Sequence, residues 1–354
     1  MKRHGNLFKD IAAFPALLAA SRRARKGKRF RHAAQQFEFD LERELLALER
    51  ELQTKTYRPG PYNEFFIYEP KQRKISAAPY RDRVVHHALF AVIEPIFDKT
   101  LIFDTYACRT GKGTHAAVDR FTAFSRKYPF VLKTDVRKYF PSIDHDILKA
   151  KIRRKIKCAD TLWLIDLVID GSNPQEDAAA YFPGDDLFAP FQRRRGIPIG
   201  NLASQLFANL YLSAADHFVK ARFPEFGYIR YMDDMVVFGR DKPSLWRVAG
   251  ELERFLQTDR LRLHQRKRMV HPVGMGVNFL GYKIYPDHRR VRYQNAVRYR
   301  RRLKALKRKY ERGEIDLDAV RRSVHSWIGH VRHADSVGLR RSMFREVFLQ
   351  RGGA

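Results

Sequence analysis

The sequence predicts an α+β fold: a small antiparallel sheet backed by helices, with further helices before and after it. Three observations predict this. Two apolar, β-prone segments, 64–79 and 228–238, each read as strand, turn, strand, which is the antiparallel pattern, and a third candidate covers 277–285. Long helical stretches occupy both ends of the chain. The chain has 354 residues, enough for two or three lobes sharing one or two cores.

Composition narrows the class. Apolar residues at 44% and charged residues at 31% fit a folded chain, not a disordered one. The formal net charge is +30. Such an excess costs self-repulsion and points to a polyanionic partner, nucleic acid before an anionic membrane surface. No apolar run of about 18 residues marks a membrane span, and no amphipathic anchor stands out. Cys108 and Cys158 are too few for a disulfide framework and lack metal-ligand spacing, so a reducing, cytoplasmic setting is expected. The apolar stretch Ile11 to Ala20 ends in Arg22-Arg23 instead of a small-residue cleavage site, which argues against a signal peptide.

In chain order, residues 1–60 read as a basic helical extension with a dense cationic run from Arg22 to Arg29. That run is either a solvated segment or a contact for an RNA backbone. Residues 38–53 place Phe39, Leu41, Leu45, Leu46, Leu48 and Leu52 on an amphipathic helix. The first strand pair, 64–79, turns at Lys71-Gln72-Arg73-Lys74. A helix follows from Asp82 to Pro95, then a buried strand within 128–136 and a helix from Asp144. Gly171, Pro174, Pro183, Gly184 and Pro190 make 171–195 a loop-like insertion. Helix resumes over 201–219. The last helices are expected at 296–312 and 315–350. In the first of them Tyr299, Leu303, Leu306 and Tyr310 form a thin apolar line among arginines and lysines.

Three carboxylates carry the chemistry. In Tyr228 to Phe238, Asp233 and Asp234 sit at the turn, and Met235 to Phe238 lacks polar alternation, so that arm should be buried on both faces. Two carboxylates ~4 Å apart at an effective dielectric near 20 repel by about 4 kcal/mol. Alone, the pair could be a simple turn, since Asp is a good turn former. Asp135, however, ends the strand Val131-Leu132-Lys133-Thr134-Asp135. If the two strands are neighbours, three carboxylates meet at one sheet edge. Hard divalent cations with oxygen ligands suit such a site, and two of them stabilise both the attacking and the departing oxygen of an in-line displacement.

These segments resemble reverse transcriptases. Tyr231-Met232-Asp233-Asp234 is similar to the family's YxDD box. Lys133-Thr134-Asp135 through Phe140-Pro141-Ser142-Ile143 is similar to its first catalytic motif. Gly196-Ile197-Pro198-Ile199-Gly200-Asn201-Leu202-Ala203-Ser204-Gln205 stands where the nucleotide-pocket helix begins. Val277-Asn278-Phe279-Leu280-Gly281-Tyr282 resembles the primer-grip hairpin. Lys71 to Pro79, Tyr80-Arg81-Asp82-Arg83 and Tyr106 to Gly113 resemble fingers motifs. The order holds over roughly 60–290.

The resemblance implies a right-hand polymerase with fingers, an antiparallel-sheet palm and a helical thumb. Fingers and palm would take 61–275 and the primer grip and thumb 276–354. It implies two Mg²⁺ ions, replaceable by Mn²⁺, on Asp135, Asp233, Asp234 and the Val136 carbonyl. Phe140 would select against a 2′-hydroxyl, or else be a core aromatic beside Tyr139. One of Lys71, Arg73 and Lys74, with Arg81, would meet the incoming triphosphate, and Gly200 would permit its close approach. Arg298, Arg301, Lys304, Lys307 and Arg308 would track the duplex. Partners would be template RNA, the cDNA or primer strand and deoxynucleotides. No RNase H or endonuclease segment is expected within these residues.

Most of the family carries Gln before that glycine and Pro after the serine; here Ile199 and Gln205 stand instead. This variant resembles the error-prone enzymes of diversity-generating retroelements, which act with a small basic accessory protein that assembles into a ring. Ser326-Trp327-Ile328-Gly329-His330 is similar to their thumb. Some phage-defence reverse transcriptases, which copy a non-coding RNA, share the variant. A non-catalytic RNA-binding scaffold is the remaining reading, and the intact aspartates argue against it.

Overall fold

The computed structural model describes residues 2–68, 72–172 and 180–345. The first 53 residues are not an appendage. Helices Lys9–Ala12, Phe14–Arg25 and His32–Phe39 pack on the helix Tyr80–Asp98, and Leu41–Gln53 packs on those three. Leu17, Ala20, Ser21 and Ala24 recur at helical spacing and are buried, as are Val84, Val85, Ala88, Leu89 and Ile93 opposite them. Leu45, Leu48 and Leu52 are buried as expected, but Phe39 is 89% and Leu46 44% exposed. Phe39 ends its helix one residue before the next begins and so faces away from the apolar stripe. The Tyr80–Asp98 helix runs through Pro95, where the sequence reading stopped it. That proline lies in the last turn, where only one ladder hydrogen bond is lost.

Strands β1 (Asn63–Ile67) and β2 (Arg73–Ala77) form the expected hairpin, with Phe65 facing Ile75 and Phe66 facing Lys74. Arg73 and Lys74, expected in the turn, instead open β2, because the ladder extends to Ile67 opposite Arg73. The turn with Lys71 lies outside the described residues. The central sheet has the order β4-β5-β3-β6, from β3 (Phe130–Asp135), β4 (Gly227–Tyr231), β5 (Asp234–Gly239) and β6 (Met269–Pro272). All its pairs are antiparallel. The edge strand β6 was not legible in the sequence: it has four residues, one of them Pro272, and no alternation.

Both faces of this sheet are covered. Leu132, Met235, Val237 and Tyr228 point into the main core beneath helices Leu202–Arg222 and Lys242–Thr258. Val131, Val236, Phe238 and Ile229 point the other way, against helix Thr114–Lys127 and strands β7 (Val277–Phe279) and β8 (Tyr282–Ile284). This is why Met235 to Phe238 is apolar without a break.

β7, β8 and β9 (Arg289–Val291) make a third sheet, and β9 was unexpected. The β7–β8 turn places Leu280 at φ 44° and Gly281 at φ 94°. A side chain on Gly281 would also press on Asn295 and His330, so this position requires glycine. The C-terminal helices are Tyr293–Glu311, Leu317–Val331 and Val337–Phe344. The expected continuous helix from 315 breaks after Val331, where Ser336 Oγ donates to the Val331 carbonyl and the Asp335 amide donates to Arg289 O of β9. Residues 346–350 of that expectation lie outside the described residues. Tyr299 stacks on Trp327 with centroids 4.4 Å apart, and Leu303, Val331 and Met343 complete this small core.

Candidate active site

The sheet brings the three aspartates together as the sequence implied. In the β3–β5 ladder Asp135 lies directly opposite Asp234. Asp233 sits in the tight turn from β4 to β5, where Tyr231 pairs with Asp234. Met232 adopts φ 58°, a left-handed conformation that is costly for a side chain of this size.

What holds that turn is an arginine the sequence reading passed over. Arg230 and Asp216 are both fully buried. The guanidinium donates to both Asp216 oxygens at 2.7–2.9 Å, to Asn209 Oδ1 and O at 3.0 Å, and to the Met232 carbonyl at 3.0 Å. Tyr228 and Thr105 hydroxyls also donate to Asp216, at 2.8 and 3.2 Å. A charge pair at zero exposure persists only when its polar atoms are satisfied in this way. Asn209 and Asp216 lie on helix Leu202–Arg222, so one side chain ties that helix to the aspartate turn.

The site is electrostatically loaded. Burial, and then the charges of Asp135 and Asp234, push the Asp233 carboxyl up to about 7. Burial also raises Asp234; Lys133 and Lys267 oppose this, whereas Asp135 adds to it. Lys133, two residues before Asp135 and on the same strand face, donates to Asn278 O of β7 at 2.5 Å. Burial lowers its pKa, an effect the nearby Asp234 and Asp135 resist. The Lys267 ammonium contacts Asp135 Oδ2, while Asp135 Oδ1 is buried with no hydrogen-bond partner. Period-two spacing could have flagged Lys133. Lys267 sits in a short 3-10 turn 132 residues away and had no local signal.

Val136 is buried and bridges to Leu263. Phe140 is half-buried against the main core, edge-on to Tyr139 at 5.7 Å. Gly200 has φ 113°, and a Cβ there would lie 3.1 Å from Ile75 on β2. The close neighbour seen at this glycine is therefore β2. Ile199 and Gln205 are half-buried, and the Ile199 carbonyl accepts from Ser76 N at 3.4 Å. Arg73 is exposed, and Lys74 pairs with Glu64 at 2.8 Å. Arg81 is taken up by Glu51 at 2.6 Å and Glu44 at 3.7 Å, which ties it to the N-terminal helices. On Tyr293–Glu311, Arg298, Arg301, Lys304 and Arg308 are exposed, and Lys307 meets Glu311 at 3.7 Å.

The donor set fits divalent cations in its chemistry: three carboxylates in a partly dry setting, one oxygen orphaned, and two carboxyls raised by burial and then by neighbouring charge. Among the described residues, no three His, Cys, Asp or Glu side chains are spaced to close around one ion. No helix among the described residues is long and apolar enough to cross a membrane.

Residues 68–284, more than half of the chain, match the reverse transcriptase (RNA-dependent DNA polymerase) family, and the chain belongs to it. Among relatives, it is 23% identical to Protein YkfC of Escherichia coli over 290 residues, 71% of this chain and 73% of that one. It is 24% identical to the group II intron-encoded protein LtrA of Lactococcus lactis over 171 residues, 48% of this chain but only 27% of LtrA. In structure, apo telomerase from Candida tropicalis matches 68% of this chain and 52% of its own, at 11% identity and a TM-score of 0.45.

Proposed function

We propose that this chain is an RNA-directed DNA polymerase that makes cDNA from a dedicated template RNA. One observation carries the reading: Asp135 and Asp234 face each other across two buried strands with Asp233 at the adjoining turn. In this reading the β1–β2 hairpin and the helices around it act as fingers, the four-stranded sheet as palm, and Tyr293 onward as thumb.

Asp135, Asp233 and Asp234 would hold two Mg²⁺ ions, with the Val136 carbonyl as a further oxygen. The ions supply charge stabilisation to the attacking and leaving oxygens of nucleotidyl transfer. The chain's own residues do the rest. Arg230 fixes the turn that carries Asp233. Lys133 and Lys267 offset carboxylate repulsion. One of Lys71, Arg73 and Lys74 would orient the triphosphate, and Phe140 would exclude a 2′-hydroxyl. The exposed cations of Tyr293–Glu311 would follow the duplex phosphates.

Primer extension on an RNA template with Mg²⁺ tests this, comparing wild type with Asp233→Ala. Extension is expected only in the wild type, and equal signal in both would sink the reading.

The biological role we assign is error-prone copying in a diversity-generating retroelement, with a small basic accessory protein as partner. The Ile199-Gly200 and Ser204-Gln205 pattern supports it. An isoleucine offers the nascent pair no hydrogen bond, so a polar check on the base is missing. Ile199→Gln is expected to lower misincorporation opposite template adenine. An unchanged error spectrum, read by sequencing the products, would remove Ile199 from the explanation.

A further inference from the structure

The insertion at 171–195 has no part in the chemistry above, yet its described half builds one wall of a charged cavity. The cavity measures about 90 Å³ and begins two residues beyond Asp135. Arg137, Ser142, Phe182, Arg193, Arg260 and Arg262 line it.

Two of these cations are already matched. Arg193 pairs with Asp185, and Arg260 with the buried Asp144 at 2.6 Å. Asp144 in turn caps the helix His145–Arg153, accepting from Asp146 N and Ile147 N at 3.0 and 3.1 Å. Two others lack a carboxylate. Arg262 donates to the neutral Tyr181 carbonyl at 2.5 Å and lies 5.2 Å above the Phe182 ring. The Arg137 side chain is exposed and has no hydrogen-bond or ion-pair partner among the described residues. The backbones of these two arginines are joined, Arg137 N to Arg262 O at 2.8 Å, so their positions are coupled. A cavity this small takes one phosphate group and no nucleoside.

The same segment leaves its large apolar side chains in solvent. Tyr181 is 48%, Phe188 66% and Phe191 72% exposed. Tyr181 donates to the Leu187 carbonyl at 3.1 Å, which ties the two arms of the loop together. Cations that hold a phosphate beside exposed aromatic faces are what an unpaired strand requires. Its bases are free to stack on side chains, whereas in a duplex they are stacked on one another.

We propose that residues 180–195, with Arg137 and Arg262, form a docking site for single-stranded nucleic acid, seating a backbone phosphate in the cavity and bases on the aromatics. The identity of that strand as unpaired template rests on the polymerase reading; the binding site itself does not.

The test is fluorescence anisotropy on the full chain. The probes are a labelled oligouridine of about 12 nucleotides, within the usual range of single-strand site sizes, and a duplex of the same length. The variants are Phe188→Ala/Phe191→Ala, whose side chains are exposed and do not support the core, and Arg137→Ala/Arg262→Ala. The aromatic pair is expected to weaken single-strand binding by about tenfold with duplex binding unchanged. The arginine pair is expected to flatten the slope of log affinity against log salt by roughly 0.7 for the single strand, the value for one lost phosphate.

Equal losses for strand and duplex would overturn the proposal, as would no loss in the aromatic pair, which would leave those rings to a protein partner. Inorganic pyrophosphate displacing the strand from wild type, with the aromatic pair binding normally, would assign the cavity to a free polyphosphate and overturn it as well. Asp233→Ala is expected to keep wild-type strand affinity. If wild type fails to extend a primer yet the variants still lose strand binding, the polymerase reading falls and this site stands.

Discussion

At Asp233 the folded chain carries a cost in order to keep a reactive site. Burial and the neighbouring Asp135 and Asp234 hold its carboxyl near 7, against an ordinary value of 3.8. A group raised on folding binds more protons folded than unfolded. Its contribution is fully favourable below about 3.8 and is lost as pH rises towards 7. Above that, three charges share the sheet edge. Asp233→Asn removes one of them and keeps the shape. It should raise the melting temperature by a few degrees at about pH 8, with the gain shrinking by about pH 5. Scanning calorimetry at the two pH values reads this directly, and a gain that is equal at both would mean the charge is not its origin. The aspartates were legible because chemistry needs that residue type at that place. Lys267 was not: its contact with Asp135 spans 132 residues and exists only once β3 and the 3-10 turn before β6 are folded together.

At the level of elements, the strand pairs were legible from their apolar runs, and the burial of β5 on both faces followed from its missing alternation. The short edge strands β6 and β9 were not, because four or three residues carry no period. Nor does any local pattern explain why the β4–β5 turn stays fixed with Met232 in a left-handed conformation. The folded chain answers with Arg230, whose five donors are spread over Asp216, Asn209 and the Met232 carbonyl. Arg230→Met leaves Asp216 buried without its cation and should cost about 3–5 kcal/mol of stability, read by urea unfolding. Arg230→Lys separates positioning from folding. A lysine can pair with Asp216, but one ammonium cannot also reach Asn209 and Met232. It should keep a cooperative fold and nucleotide KM while kcat for extension falls at least tenfold. A Lys variant with unchanged kcat would show that the turn needs no such tether.

Across the whole molecule, the C-terminal helices meet β8 and the helix Thr114–Lys127 through a cluster of rings. The Tyr282 hydroxyl on β8 donates to the His330 carbonyl at 2.7 Å and lies 3.1 Å from His330 Nδ1. His115, at the start of helix Thr114–Lys127, stacks on His333 at 3.6 Å. Burial, then the neighbouring His333, lowers the His115 pKa; Asp119 resists this and Arg332 adds to it. His330 is lowered by burial and then by His115 and His333. Asp119 is itself paired with Arg289 at 2.6 Å, so its charge is shared. A histidine lowered on docking binds fewer protons docked than free. Docking is therefore complete above the ordinary imidazole value of 6.5 and weakens as pH falls below it. Amide exchange in Leu317–Val331 should accelerate between about pH 7.5 and pH 5.5, beyond the intrinsic pH dependence of exchange, while the β3–β5 strands stay protected. His330→Gln keeps a polar side chain at the Tyr282 hydroxyl and cannot titrate, so it should remove much of that acceleration. If the variant loosens with acid as steeply as the wild type, protonation of this cluster does not govern the joint.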